Sequence, residues 1–236
     1  MSPVAGAALP DLATSGGLFA RLRDAARPSW ESYVAHPFVK GMGDGSLPEA
    51  SFRHYLVQDY LFLIHFARAY ALAAYKADSL ADMRSAARSM SAILDLEMGL
   101  HVKYCAGWGL SEADMAATPE AQATLAYTRF VLERGMAGDL LDLHVALAPC
   151  VVGYAEIAAG LLADAATRLD GNPYRAWIEM YADPEYRTVA HAQVELLDRL
   201  SSARGGEARF ADLTRTFDAA SRLEAGFWEM GLTLAG

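Results

Sequence analysis

The sequence predicts an all-α fold, a bundle of helices in a single domain, and three observations predict it. Apolar residues recur at three- and four-residue spacing along most of the chain, the period of a helix with one buried face. No run alternates apolar and polar residues as a half-buried strand does. No repeat or linker divides the 236 residues, and 53% of them are hydrophobic, enough for one sizeable core.

The elements follow in order. Residues 1–16 read as a flexible N-terminal arm, with the helical domain over 17–236. Helical spacing covers about 17–27 and 29–36, and the glycines of "GMGDGSLPEA" mark a turn whose Pro48 suits the first turn of a helix. Long helices are expected over 49–77 and 79–106. "GWGLSEADMAATPEA" connects them to a helix at about 120–135. An apolar helix over about 138–168 contains Pro149 and is expected to kink there, since proline removes a backbone hydrogen bond and crowds the preceding turn. Segments at 173–182 and 184–203 precede a last helix over about 207–232.

Composition excludes several classes of function. A net charge of −9 without any Lys/Arg cluster opposes a nucleic-acid partner, because phosphate-backbone binding relies on grouped cations. The N-terminal stretch lacks the cationic start and apolar run of a signal peptide. The most apolar stretches, near 61–75 and 145–163, are interrupted by His65, Arg68 and Glu156, so no membrane span is expected. Cys105 and Cys150 form no CxxC and no disulfide framework. The protein is therefore expected in the cytoplasm with both thiols reduced.

Polar groups inside the apolar stripes carry the chemistry. Phe52, Tyr55, Asp59, Phe62, Phe66 and Tyr70 share one helix face, with Asp59 at its centre. In the last helix Leu213, Phe217, Ala220, Glu224, Phe227, Trp228 and Gly231 form the inward stripe, and Glu224 is its charged member. In the proline helix Leu143, Leu147, Cys150, Tyr154, Ile157 and Leu161 share a face. A buried free cysteine is most often a small hydrophobe, and a buried carboxylate is most often paired. A thiol and two carboxylates turned inward among aromatics are, together, the parts of a nucleophilic site for a flat ring. Cys105, at a helix end, reads as structural. Glu97 and His101 form the one helical i,i+4 pair resembling a metal motif, but a di-iron bundle requires Glu-x-x-His on two helices, and the sequence has none. GxSxG, P-loop and dinucleotide-binding motifs are absent as well.

The stretches "HPFVKGMGDGSLP", "FRHYLVQDYLFLIHFARAYA", "EMGLH", "ALAPC" with Tyr154 behind it, and "EAGFWEM" occur in the order of the TenA/thiaminase II family, from about residue 22 to 232. The chain resembles the branch of that family that uses a cysteine. The resemblance implies a heme-oxygenase-like bundle, a homotetramer, and no metal, heme or other cofactor. It implies hydrolysis of 4-amino-5-aminomethyl-2-methylpyrimidine to the hydroxymethyl pyrimidine with release of ammonia, and cleavage of thiamin to the same pyrimidine and the thiazole alcohol. By the same resemblance Cys150 is the nucleophile, Glu224 a general acid/base, and Asp59 the contact for the ring's amino group and nitrogen. Phe62, Tyr127, Tyr154 and Tyr181 then line the substrate pocket. Phe62 stands where the family often has tyrosine, which keeps ring stacking and loses a hydroxyl. Two other readings share these residues: a pyrimidine-binding regulatory protein without turnover, and an oxygen-activating di-metal enzyme on the same bundle.

Overall fold

Leu12 and residues 16–236 are described by a computed structural model; the arm expected over 1–16 otherwise lies outside the described residues. Leu12 packs partly buried against the core. Among the described residues there is no strand. The helices are α1 (Leu18–Ala25), α2 (Arg27–Val34), α3 (Pro37–Asp44), α4 (Glu49–Lys76), α5 (Leu80–Ala92), a π-helical turn (Ile93–Glu97), α6 (Met98–Gly107), α7 (Glu112–Ala116), α8 (Gln122–Ala137), α9 (Leu140–Ala163), α10 (Arg175–Ala182), α11 (Pro184–Ala203) and α12 (Phe210–Thr233).

α4, α8, α9 and α12 all touch one another and enclose the centre of the molecule. α10 and α11 cover α9, α2 lies on α12, and α5 runs back along α4. α9 begins at a reciprocal cap: Asp139 accepts from the backbone N–H of Leu141 and Asp142, and the Asp142 carboxylate accepts from the N–H of Asp139. It is buried on nearly all sides rather than along one stripe. By length and mean hydropathy of 1.8 it is apolar enough to cross a membrane, but 78% of that window is buried inside the bundle, as in a core helix.

The helical backbone of α9 continues through Pro149. Proline has no N–H, so the Val145 carbonyl one turn earlier lacks its helical donor. Beside it the Tyr33 hydroxyl donates to the Pro149 carbonyl at 3.4 Å. Tyr33 comes this close because position 153 is glycine: a Cβ there would lie 2.4 Å from Tyr33 Cε1.

Three features depart from the sequence expectation. α3 lies where glycines suggested a turn, and its N-terminus is capped by His36, whose Nδ1 accepts from the N–H of Phe38. Gly43 instead admits close packing, since a Cβ there would meet Leu161 Cδ2 at 2.7 Å. α7 forms inside the stretch expected to be a connection, stabilised by a Ser111–Asp114 capping box. The helix expected over 79–106 is interrupted by the π turn at Ile93–Glu97. One extra residue in a turn rotates all that follow by about 100° relative to an unbroken helix. Leu94 and Leu96 consequently face outward, 46% and 70% exposed, while His101 is fully buried against α4.

Candidate active site

The seven residues singled out in the sequence converge on one buried cluster. Cys150 comes from α9, Glu224 from α12 and Asp59 from α4, and they are 8%, 1% and 3% exposed. Glu224 accepts a hydrogen bond from the Tyr127 hydroxyl at 2.8 Å. Phe62 packs on the Tyr127 ring with centroids 4.9 Å apart, and on Phe227 at 5.6 Å. Tyr154, one turn beyond Cys150, meets Tyr181 edge-on at 4.8 Å. Its hydroxyl lies 3.5 Å from that of Tyr55, which donates to Asp59 Oδ2 at 2.9 Å.

The sequence reading assigned no role here to Tyr55, His101 or Glu97, and all three belong to the cluster. His101 Nε2 lies 2.7 Å from Asp59 Oδ2, and its Nδ1 lies 2.8 Å from the backbone carbonyl of Glu97. A carbonyl only accepts, so Nδ1 carries a proton. The short Nε2–Oδ2 contact must hold another, because two lone pairs at 2.7 Å would repel. Burial opposes charge on His101, but the bond to Asp59 and the charge of Asp59 outweigh it and raise the imidazole above its usual value. One proton is therefore shared between His101 Nε2 and Asp59 Oδ2, and Tyr55 donates to the same carboxylate oxygen. Glu97 completes the set: its Oε1 accepts from the Tyr181 hydroxyl at 2.6 Å. The signal for these residues was the Glu97/His101 spacing, legible only as a pair and not as part of this cluster.

Electrostatics divides the titratable groups. Burial pushes Glu224 up to about 8, and the charge of Asp59 adds to this, against the bond from Tyr127 and the nearby Cys150 thiol. Burial likewise raises Glu97 to about 7, with the Tyr181 bond opposing. The Cys150 thiol is driven well above its ordinary value, first by burial and then by the charges of Glu224, Glu97 and Asp59. The resting sulfur is thus a protonated thiol beside a mostly protonated carboxylic acid, and its reaction as a nucleophile requires transfer of that proton. Cys105 is fully buried, and burial raises it to about 11. Among the described residues no three His, Cys, Asp or Glu side chains are grouped as ligands for a metal.

A family model described as the TENA/THI-4/PQQC family matches residues 23–234. The chain belongs to the TENA/THI-4/PQQC family. Among its relatives in that family is a protein of Haemophilus influenzae described only as uncharacterized, 41% identical over 89% of this chain and 96% of the relative. A protein of Halalkalibacterium halodurans named aminopyrimidine aminohydrolase is 37% identical over 89% of this chain and 93% of its own length. The crystal structure of a protein described as a TenA family transcription regulator, from Silicibacter sp. TM1040, is 45% identical, covers 92% of this chain and 96% of its own, and superposes with a TM-score of 0.85. For the fold alone, a domain from Shewanella denitrificans with a heme oxygenase-like fold matches at a TM-score of 0.71 and 14% identity, covering 92% of each chain. The all-α bundle expected from the sequence is thus of the heme-oxygenase-like type.

Proposed function

We propose that this protein is an aminopyrimidine aminohydrolase (a thiaminase II) that replaces the amine of 4-amino-5-aminomethyl-2-methylpyrimidine with hydroxyl and releases ammonia, and that cleaves thiamin at the same carbon. The observation that carries this reading is the meeting of the Cys150 thiol and the raised Glu224 acid inside an aromatic enclosure, with Asp59 bonded to His101 and Tyr55. Similarity to relatives named for that activity supports it.

The chemistry follows from the geometry. Aromatic walls from Phe62, Tyr127, Tyr154 and Tyr181 take a flat ring. Asp59 uses one oxygen on Tyr55 and His101, leaving the other to accept from the ring's exocyclic amino group. Glu224 gives its proton to a ring nitrogen, which makes the ring electrophilic, and the resulting carboxylate takes the thiol proton as the sulfur bonds to a ring carbon. Electrons from the ring N–H nitrogen then expel the amine, bound as its ammonium: the exocyclic C–N bond breaks and its electron pair leaves with nitrogen as neutral ammonia. Water adds to the exocyclic carbon and loses one proton, which the released ammonia takes up as ammonium. Finally the sulfur–carbon bond breaks, restoring the ring, and the ring N–H proton returns through Glu224 to the sulfur. With thiamin the leaving nitrogen belongs to the thiazolium, which departs as neutral thiazole by the same electron flow.

We propose on the same basis a cytoplasmic homotetramer that needs no cofactor; the resemblance of the sequence motifs supports it. A second reading, a pyrimidine-binding regulator, is favoured by the description of the Silicibacter relative and opposed by the net charge of −9. Incubation with the aminomethyl pyrimidine tests the two. Equal amounts of ammonia and hydroxymethyl pyrimidine are expected, with no shift of duplex DNA in a low-salt mobility assay. Absent turnover together with a DNA shift would overturn the enzyme reading in favour of the regulator.

A further inference from the structure

The site has three carboxyl groups, and the mechanism above uses two. Glu97 differs from Asp59 and Glu224 in where it stands. It is the last residue of the π turn and is only partly buried, whereas the other two are enclosed. Tyr186 of α11, also partly buried, packs edge-on against Tyr181 at 4.9 Å, and Tyr181 is the residue that bonds Glu97. Glu97 and Tyr186 thus form the least enclosed side of the cluster. With the ring held between Asp59 and Glu224 in the closed interior, the departing group has this side left for its exit.

Both candidate substrates are cationic at the atom that leaves, one as an ammonium and the other as a thiazolium, and both leaving groups depart neutral. Asp59 is already partnered by His101 and Tyr55, and Glu224 carries its proton. We propose that Glu97 is the anion that binds the cationic leaving group of the substrate, and so sets the preference of this site for pyrimidines whose 5-methylene carries a positively charged nitrogen. The π turn is what makes this possible, because it turns a charged residue inward and leaves Leu94 and Leu96 outside. Glu97, near 7 when the site is empty, is ionised by the arriving cation. Its ion pair weakens as the C–N electrons move onto nitrogen, so it contributes to binding of the ground state more than of the transition state.

This inference rests on the proposed pyrimidine chemistry, and its test is separable from turnover. Glu97→Gln keeps an acceptor for Tyr181 and removes the charge. In this variant KM for the aminomethyl pyrimidine should rise about 10- to 100-fold, the loss typical of a charge-assisted bond, with kcat at or above native, since the lost ion pair is stronger in the ground state. Affinity for the neutral hydroxymethyl pyrimidine should be unchanged. Calorimetry with both ligands in a Cys150→Ala background reads the same contrast without catalysis. Equal loss of affinity for both ligands would assign Glu97 a merely structural part, and unchanged affinity for the cation would remove it from the site; either overturns the proposal. Native protein that binds both pyrimidines and turns over neither would count against the enzyme reading instead.

Discussion

At the scale of single residues the site is governed by what burial does to acids. Glu224 faces Tyr127, Cys150, Tyr33 and Asp59, and burial is the largest influence holding it near 8. On the proposed mechanism its acid form is the reactive one, so kcat/KM should decline above about pH 8, as the free enzyme loses the proton. Glu224→Gln should lower kcat about 10²- to 10⁴-fold, and its residual activity should lack this alkaline decline. Persistence of the decline in the variant would assign it to another group. Stability has the same sign. A carboxyl raised in the folded state favours folding fully below its unfolded value of about 4.5, and this contribution is lost as pH climbs through about 8. Much of this site was legible in the sequence because each intruding group broke an apolar stripe: Asp59, Cys150 and Glu224 stand out against Phe62, Tyr154 and Phe227. His101 was not, since its meaning lies in a contact with Asp59 that links residues 42 positions apart.

At the scale of elements, regular helices were readable and irregular ones were not. The spacing over α4, α8, α11 and α12 gave boundaries within a few residues, because each buries a continuous face. The π turn was invisible, as its one extra residue changes the phase of a pattern without changing its period. α3 was missed because Gly41 and Gly43 resemble turn residues, although both serve close approach of neighbouring chain. Gly153 in α9 shows the same principle three residues beyond Cys150. Tyr33 is fully buried between Trp30 and Trp228, with centroids at 5.6 and 6.3 Å, and has no room to yield. Gly153→Ala should therefore destabilise the protein by about 1–2 kcal/mol, the overpacking outweighing about 1 kcal/mol gained in helix propensity. Chemical denaturation checks this, and a stability equal to or above native would show that Tyr33 can move aside.

At the scale of the whole molecule, an acidic chain places one very apolar helix, α9, at its centre and surrounds it with helices that each bring polar groups to it. That arrangement sets a protonated thiol in a low-dielectric interior, and on the proposed mechanism it stays unreactive until a substrate brings a ring nitrogen for Glu224 to protonate. The most direct test compares ammonia release from the aminomethyl pyrimidine by native protein and by Cys150→Ala, with circular dichroism confirming that both are folded. Release by the native protein and none by the variant is the predicted result. Equal release by both would contradict a mechanism in which the Cys150 sulfur bonds to the ring.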